Sequence, residues 1–266
     1  MHPHDAVRRV SEHSITVMDI CQDNLWGPKP DDRAEDVLAH MCSHGYDIAP
    51  IIEWRIRRYV ARDDLSVSSP ELVVANVSRT ISADDLVSAS MPLADAIDTL
   101  SQRPWAFVLG DREVDGLITI ADLQGITVNL VVFGFILAAE AGIDALARPY
   151  DYEGLAGLLS SKRRGRIDEV FVDRKSRNAD IDYLACLNVE DRLKILEKSP
   201  ELRAAVGMSS SHVREIGEVL KRLRDTLAHG GSILDLCGDA QAGISAALKA
   251  REFADRVWIA VSNVTG

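Results

Sequence analysis

One polar pair in the first half of the 266-residue sequence has the types and spacing of a ligand for phosphate or sugar hydroxyls. Thr119 and Asp122 stand where the apolar run that begins at Gly116 ends and a helix start is predicted. Free backbone N–H groups at a helix N-terminus attract phosphate, and a carboxylate can accept hydrogen bonds from two adjacent hydroxyls at once. Threonine and aspartate also cap helices without binding anything, so the motif alone leaves both interpretations open.

A second polar group, in the other half, has residue types that suit proton transfer beside a phosphate. Arg224, Asp225 and His229 lie near the end of a helix predicted over His212–His229. Histidine has the near-neutral pKa of a proton shuttle, arginine can stabilise charge developing on a phosphate, and Asp225 could orient the imidazole. Because five positions correspond to about 140° around a helix, a single helix presents Arg224 and His229 poorly to one atom, whereas a paired copy could bring them together.

These three residues also have a simpler structural interpretation. A histidine and basic residues in the last turn of a helix interact favourably with the helix dipole without any catalysis. Arg224 and Asp225 are neighbours that could form a surface ion pair. The motif alone therefore leaves open both a catalytic site and a catalytically silent helical domain.

An internal repeat organises the first half and positions Thr119 and Asp122. When the two copies are aligned so that Asp122 falls on Asp64, Trp105–Leu109 falls on Asp47–Ile51. One helix–strand–strand–helix unit of this size cannot bury both faces of its sheet, so we expect two copies to pack together. The predicted elements are helices over Asp31–Met41 and Leu93–Leu100, and strands over Asp47–Ile52, Trp105–Leu109 and Gly116–Leu123.

The repeat, over roughly Ser14–Leu123, resembles the CBS domain pair, or Bateman module. Its most specific element is the run from Gly116 to Asp122, which matches the family pattern of glycine, two apolar residues, Ser/Thr, two residues and Asp. The resemblance implies a tandem α/β fold that binds an adenine nucleotide (AMP, ADP or ATP) as a regulatory ligand. It assigns the ribose hydroxyls to Asp122 and the phosphates to Thr119.

The first copy departs from this pattern, so we expect the second site to be the stronger one. Ala61 replaces the Ser/Thr, although Asp64 is retained and Arg62 could compensate as a phosphate ligand. The adenine is expected near Val87 and Ser88, in the strand that precedes the second helix. An aspartate that binds ribose would serve AMP, ATP, NAD or S-adenosylmethionine alike, so the sequence does not name the ligand.

The second half is predicted to be all helical, which makes the whole fold α+β with a helical bundle after the repeat. The uncharged run Ile126–Ala139 is apolar nearly all round, so it should be buried or form an interface, such as one with a second subunit. It falls short of the ~18 residues that a membrane span requires, so no membrane is expected. Four or five helices are predicted, including Tyr152–Leu159, a helix that Asn188 begins, His212–His229 and Ala240–Ser262; Ser160–Asp182 is polar, basic and assigned no helix.

The helical half, over roughly Ile126–Val261, resembles HEPN domains. The resemblance rests on Arg224 and His229 in one helix, on the apolar first helix and on the all-helical layout. It implies a homodimer and, in catalytic members, a metal-independent ribonuclease in which Arg and His act. We therefore expect a nucleotide sensor that controls a dimeric, RNA-cleaving domain; the alternative is a sensor whose helical part only dimerises or docks a partner.

The net charge of −11 is unevenly distributed. Residues 1–125 carry 11 Lys+Arg and 21 Asp+Glu, whereas residues 126–266 carry 19 and 20. The acidic excess, which argues against a generic nucleic-acid binder, thus belongs to the repeat and does not bear on the helical half. That half contains three basic islands at Lys162–Arg166, Arg174–Arg177 and Lys221–Arg224, which are either solvated faces or a surface for RNA.

The remaining features suggest an ordinary cytoplasmic protein. The four cysteines form no Cys-x-x-Cys pair and are interpreted as reduced thiols, and the N-terminus lacks the apolar region of a signal peptide. His40 and His44 share a helix face from which Cys42 points away, so no metal is expected. The predicted division is a tail over residues 1–13, a tandem CBS pair over 14–125 and a HEPN-like domain over 126–266.

Overall fold

The structure is a computed structural model that describes residues 14–150, 152–177, 181–236 and 239–265. The chain forms two compact units, one of Thr16–Asp122 and one that contains Leu123–Gly266. We call them the N-terminal and C-terminal units. The fold is α+β, with small sheets in the N-terminal unit and helices in the C-terminal unit. The tail predicted over residues 1–13 lies outside the described residues.

The N-terminal unit contains two three-stranded sheets and short helices. The first sheet is antiparallel in the order β1-β2-β3; in the second, β4 is parallel to β5, and β5 is antiparallel to β6. The strands are β1 (Ile48–Pro50), β2 (Arg58–Ala61), β3 (Arg79–Thr80), β4 (Leu86–Ser88), β5 (Trp105–Leu109) and β6 (Val114–Thr119). The helices are α1 (Ala34–His44), α2 (Arg62–Val67), α3 (Val74–Val77) and α4 (Leu93–Gln102), and 3-10 turns occupy Val17–Asp19, Ala83–Asp85 and Ile120–Gln124.

The two copies of the repeat are visible in the structure, with one correction to their alignment. Ala61 pairs with Ile48, whereas Thr119, its equivalent in the second copy, pairs with Trp105. Trp105 therefore corresponds to Ile48, and the predicted alignment of the first strands, which placed Trp105 on Asp47, is wrong by one position. The second hairpin is longer by that position, and the register irregularity at Val108 and Leu109 accommodates it.

The amphipathic pattern of the predicted repeat helices is confirmed. In α1, Ala34, Val37 and Met41 are buried at helical spacing, and a left-handed Gly45 (φ 72°) ends the helix. In α4, the buried residues include Ile97. The buried face of α1 packs with residues of β1 and β2 in one core, which consists of Ala34, Val37, Met41, Ala49, Ile51, Val60, Leu65 and Val74.

The described residues of the C-terminal unit form seven α-helices and no strand. The prediction of four or five helices is thus too low. The helices are α5 (Ile126–Ala147), α6 (Tyr152–Ala156), α7 (Ser161–Ser176), α8 (Val189–Lys198), α9 (Pro200–Val206), α10 (Ser210–Ala228) and α11 (Ala240–Thr265), with 3-10 turns at Leu184–Cys186 and Ile233–Leu236. As expected, Asn188 caps α8 by accepting from the backbone N–H of Asp191 at 2.9 Å.

Helix α7 was missed because it lacks an apolar stripe. Ile167 is the buried residue of this helix. Polar and aromatic contacts attach the helix to the rest of the unit. The guanidinium of Arg163 donates to Asp191 at 2.6 and 2.7 Å, and the ring of Phe171 lies 5.6 Å from that of Tyr183. A helix anchored through so few side chains gives almost no hydrophobic periodicity in the sequence.

Helix α5 packs against α11, α10 and α8. Its buried face includes Val131 and Phe135, while Ile126, Leu130 and Leu137 are exposed. Among the described residues, α5 is the one helix that is long and apolar enough to cross a membrane by length and composition. Half of its most apolar stretch is buried inside the protein. The helix thus continues to Ala147, well past Ala139, where the uncharged run used to argue against a membrane span ends.

Two carboxylates on α5 bind a buried arginine of α8. The guanidinium of Arg192 donates to Asp144 at 2.8 Å and to Glu140 at 3.2 Å, and also to the carbonyls of Leu184 and Leu187. Burial raises the pKa of both carboxyl groups, and Arg192 opposes that rise. This cluster joins α5 to α8 and orients the C-terminal half of α5.

Candidate functional site

Asp122 in the second copy is held by uncharged partners. Its Oδ2 accepts hydrogen bonds from the backbone N–H of Thr119 at 2.7 Å and from the Thr119 hydroxyl at 2.9 Å. Its Oδ1 accepts from the side-chain amide of Gln22 at 2.9 Å. The pair begins the 3-10 turn Ile120–Gln124, as a capping interaction does. Both side chains are half-buried, so each remains partly accessible to a ligand.

Asp64 in the first copy is held by a cation. The guanidinium of Arg79 donates to both of its carboxylate oxygens at 2.6 Å, and this hydrogen bonding raises the pKa of Arg79. Arg62, the predicted phosphate ligand, pairs with Asp47 at 2.5 Å. In the first copy, therefore, each predicted ligand already has a partner of opposite charge.

The partners of the two aspartates occupy equivalent places at the edges of the two sheets. Arg79 pairs with Tyr59 on β2, and Gln22 pairs with Leu117, the equivalent of Tyr59, on β6. Sequence reasoning missed both partners, because neither lies in the helices and strands by which the two copies were aligned. The one available signal was Gly116: a Cβ there would lie 2.7 Å from the carbonyl oxygen of Gln22, so the edge segment requires a glycine.

The structure does not bring Ser88 to Thr119 and Asp122. Ser88 pairs with Leu109 at one end of β5, whereas Thr119 pairs with Trp105 at the other end. The length of β5 separates these ends, which corresponds to ~13 Å at the usual rise of a strand. The hydroxyl of Ser88 contacts that of Ser90 at 2.9 Å. The expected place of the adenine near Ser88 is therefore not adjacent to the aspartate site.

An aromatic cluster links the two copies near their aspartates. The ring of Tyr59 lies 5.2 Å from that of Trp105 and 5.5 Å from that of Phe107. Tyr59 is the strand partner of Arg79, and Trp105 is the strand partner of Thr119. Trp105 is half-buried rather than fully in the core, so it offers part of an aromatic ring beside the second site.

Arg224, Asp225 and His229 are exposed at the C-terminal end of α10. Arg224 lies 3.8 Å from Asp225, a distance typical of a loose surface ion pair. His229 is the residue after the last helical position, and its backbone N–H donates to the carbonyls of Asp225 and Thr226. Among the described contacts, no side-chain hydrogen bond joins Asp225 to His229, so the predicted orientation of the imidazole is not present within one copy.

A cavity lies beside this end of α10. Gly230, which follows His229, adopts a left-handed conformation (φ 80°) that ends the helix. The side-chain amide of Asn129 donates to the carbonyl of Gly231 at 2.9 Å and ties the turn to α5. The cavity has a volume of about 430 Å³, is mainly apolar and is lined by Gln124, Ile126, Asn129, Leu130, Phe133, Leu227, Ala228 and Gly230.

His40 and His44 stack with neighbouring aromatic rings. Their ring centroids are 4.1 Å apart, and Trp26 stacks on His40 at 4.0 Å. Within the described ranges, no group of three or more His, Cys, Asp or Glu side chains is arranged to hold a metal ion. Cys21, Cys42 and Cys186 are free thiols, and Cys237 lies outside the described residues.

Comparison with known proteins gives structural neighbours only. No family model and no curated protein matches the chain. A CBS domain-containing protein of unknown function from Bacillus anthracis is 12% identical, with a TM-score of 0.38 over 43% of this chain and 93% of its own. The CBS domain of a bacterial CNNM/CorC family Mg²⁺ transporter in complex with ATP is 18% identical, with a TM-score of 0.37 over 48% and 94%.

A third neighbour is CBSX2 in complex with AMP, which is 21% identical, with a TM-score of 0.35 over 41% of this chain and 92% of its own. These neighbours are CBS domain proteins, and each matched share is under half of this chain.

Proposed function

We propose that the N-terminal unit senses an adenine nucleotide and regulates the C-terminal unit. The observation that carries this proposal is the state of Asp122, a half-buried carboxylate at the start of a helical turn whose hydrogen-bond partners are uncharged. Ribose hydroxyls can take the place of the amide of Gln22 without separating an ion pair. The backbone N–H groups at the start of the turn suit a phosphate.

The second copy is the better candidate for the nucleotide site. A ligand at Asp64 would have to compete with the bidentate guanidinium of Arg79, which is a stronger contact than a neutral hydrogen bond. It would also lack the hydroxyl that Thr119 supplies, because Ala61 stands at that position. The choice of an adenine nucleotide follows from the resemblance of the run from Gly116 to Asp122 to the CBS pattern.

The chain itself connects the proposed sensor site to the C-terminal unit. The turn that Asp122 caps ends at Gln124, and α5 begins at Ile126. A ligand that takes the place of Gln22 or Thr119 on Asp122 would alter the turn from which α5 starts. We propose that this is how nucleotide binding reaches the helices.

We propose that the C-terminal unit acts as a homodimer that cleaves RNA through Arg224 and His229. Both side chains are exposed, and a single helix directs them apart, so a shared site requires two copies. The exposed apolar residues Ile126, Leu130 and Leu137 of α5 lie at helical spacing and would be covered in a dimer. The competing function is a non-enzymatic output that dimerises or docks a partner; the unoriented imidazole of His229 favours it.

Calorimetric titration tests the sensor. We expect saturable binding of at least one of AMP, ADP and ATP, abolished by Asp122→Ala and retained by Asp64→Ala, which is the matched control in the first copy. Because Asp122 also caps a turn, circular dichroism should confirm that the variant is folded. Binding that is unaffected by Asp122→Ala would refute the site assignment.

Incubation with labelled RNA tests the enzyme, with and without the nucleotide. We expect cleavage by the wild-type chain, loss of cleavage in His229→Ala, and no effect of EDTA. Sedimentation should show a dimer that Leu130→Glu dissociates. If no RNA is cleaved under either condition while the dimer persists, the non-enzymatic alternative is the correct one.

A further inference from the structure

Two basic segments of the C-terminal unit, well separated in the sequence, converge in the structure. The guanidinium of Arg163 in α7 donates to Asp191 at 2.6 and 2.7 Å. The ammonium group of Lys221 in α10 lies 2.5 Å from Glu190. Glu190 and Asp191 are consecutive residues in the first turn of α8, so the beginning of α7 and the middle of α10 are held beside the same helical turn. We call these cations, without Arg164 on the opposite side of α7, the basic surface: Lys162, Arg163, Arg166, Lys221, Arg222 and Arg224.

Carboxylates of the C-terminal unit neutralise only some of these cations, among them Arg163 and Lys221. Lys162, Arg164 and Arg166 are exposed, and no ion pair or hydrogen bond of their side chains occurs among the described residues. Arg222 donates to the backbone carbonyl of Glu218 at 3.4 Å. The α7 and α10 segments and the first turn of α8 together contain more cations than carboxylates, although the chain as a whole is acidic.

The position of Lys162 is unfavourable for the helix that carries it. Lys162 lies in the first turn of α7, where the helix dipole repels positive charge. Lys162 and Arg166 are separated by about one helical turn and therefore share one side of the helix. Since neither packing nor helix stability uses these exposed cations, their side chains are available to contact an anionic partner.

We propose that the basic surface binds the phosphate backbone of RNA. Several separate cations across two helices suit a polymer with regularly spaced charges, and Ser161–Arg166 offers no apolar side chain that could anchor an acidic peptide. Helix α10 continues from Lys221 through Arg224 to its end beside His229, so a strand bound along it would lead to the proposed cleavage residues. The choice of RNA rests on the proposed function, whereas the binding surface itself does not require catalysis.

Fluorescence anisotropy with a labelled single-stranded RNA of about 20 nucleotides tests the surface. The full chain carries His229→Ala, so that RNA is not consumed. Lys162→Gln/Arg166→Gln should weaken binding about tenfold at moderate salt, and the slope of log K against log salt should fall by about 1.4, because each lost phosphate contact contributes ~0.7 for a single strand.

The matched control is Lys175→Gln/Arg177→Gln, which removes two charges from the other end of α7. There, Lys175 lies over the ring of Phe171 and Arg177 pairs with Asp173, so these cations already have partners. We expect a change of less than about twofold, since non-specific loss of charge contributes little at this salt. Equal losses in the two double variants would overturn the proposal.

Two further outcomes separate this proposal from the proposed enzyme. RNA binding that depends on Lys162 and Arg166, without cleavage by the wild-type chain, supports the surface and removes the ribonuclease. Cleavage by the wild-type chain with unchanged RNA binding in Lys162→Gln/Arg166→Gln supports the ribonuclease and overturns the surface. Absence of salt-dependent RNA binding, or displacement of RNA by polyglutamate at equal charge concentration, also overturns it.

Discussion

The two copies of the repeat place an aspartate at equivalent positions and hold it with different partners. Asp64 is neutralised by the guanidinium of Arg79, whereas Asp122 accepts from the uncharged Gln22 and Thr119. Arg79 and Gln22 themselves occupy equivalent edge positions opposite Tyr59 and Leu117. Asp64 is therefore neutralised and Asp122 is not because the edge segments that contain Arg79 and Gln22 differ, and these segments lie outside the aligned helices and strands.

This difference assigns different roles to the copies. The bidentate ion pair between Asp64 and Arg79 joins α2 to the edge strand β3 of the first sheet, which is a structural role. The neutral contacts of Asp122 can be exchanged for those of a ligand at little electrostatic cost. The repeat thus supplies one structural copy and one candidate binding copy, and exchanging the two partner residues should exchange these roles.

Gln22→Arg should have the largest effect, because it gives Asp122 the kind of partner that Asp64 has. An ion pair of this exposure contributes up to about 1 kcal/mol, so a nucleotide competing with the introduced guanidinium for the carboxylate should bind up to about fivefold more weakly. Calorimetry of the variant with the nucleotide that the wild-type chain binds measures this loss.

Gln22→Glu serves as the opposite control for that variant. Two carboxylates would then face each other, and their repulsion should disturb the contact on which the proposed site depends, so nucleotide affinity should fall. If Gln22→Arg binds nucleotide as the wild-type chain does, Asp122 is not the ribose ligand and its role is capping alone.

The repeat, its α+β class and the approximate bounds of its elements could be predicted from the sequence, because hydrophobic periodicity recurs in both copies. Trp105–Leu109 was predicted with the observed bounds, and α4 was predicted to end at Leu100 where it ends at Gln102. The partners of the aspartates could not be predicted, because Arg79 and Gln22 have ordinary surface types and act only through strand pairing.

The C-terminal unit shows where hydrophobic periodicity gives no information. Helix α7 is held by Arg163, Ile167 and Phe171, so polar contacts replace the apolar stripe that would have indicated a helix. The distance of Ser88 from Thr119 could not be predicted for a different reason: the direction in which β4 lies beside β5 decides which end of the sheet Ser88 occupies. Strand direction is a tertiary property that a short strand does not encode.

Gly116→Ala should have an intermediate effect and tests the edge segment of the second copy. A Cβ would lie 2.7 Å from the backbone oxygen of Gln22, whereas the equivalent position in the first copy is Arg58, opposite Thr80. Overpacking of this kind costs about 1–3 kcal/mol of unfolding free energy. Urea denaturation should show the loss, and nucleotide affinity should fall with it because Gln22 moves.

The control for this substitution is Gly165→Ala in α7. A Cβ at Gly165 meets nothing within 4 Å, and alanine favours a helix over glycine by about 1 kcal/mol, so this variant should be slightly stabilised. If Gly116→Ala is equally stable, the close approach of the two segments is not required, and the glycine of the motif has another cause.

Arg79→Gln should have the smallest effect on stability and the most informative effect on binding. The ion pair is exposed, so its loss should change the unfolding free energy by no more than about 1 kcal/mol. Asp64 would then have the neutral partner that Asp122 has, and the number of nucleotides bound in calorimetry should rise from one towards two.

A stoichiometry that stays at one in Arg79→Gln would identify Ala61 as the second obstacle, since the first copy lacks the hydroxyl of Thr119. Ala61→Thr combined with Arg79→Gln then restores both features, and we expect this double variant to bind a second nucleotide. If it still binds only one, the copies differ in more than these two residues, and the difference in length between their hairpins becomes the next feature to exchange.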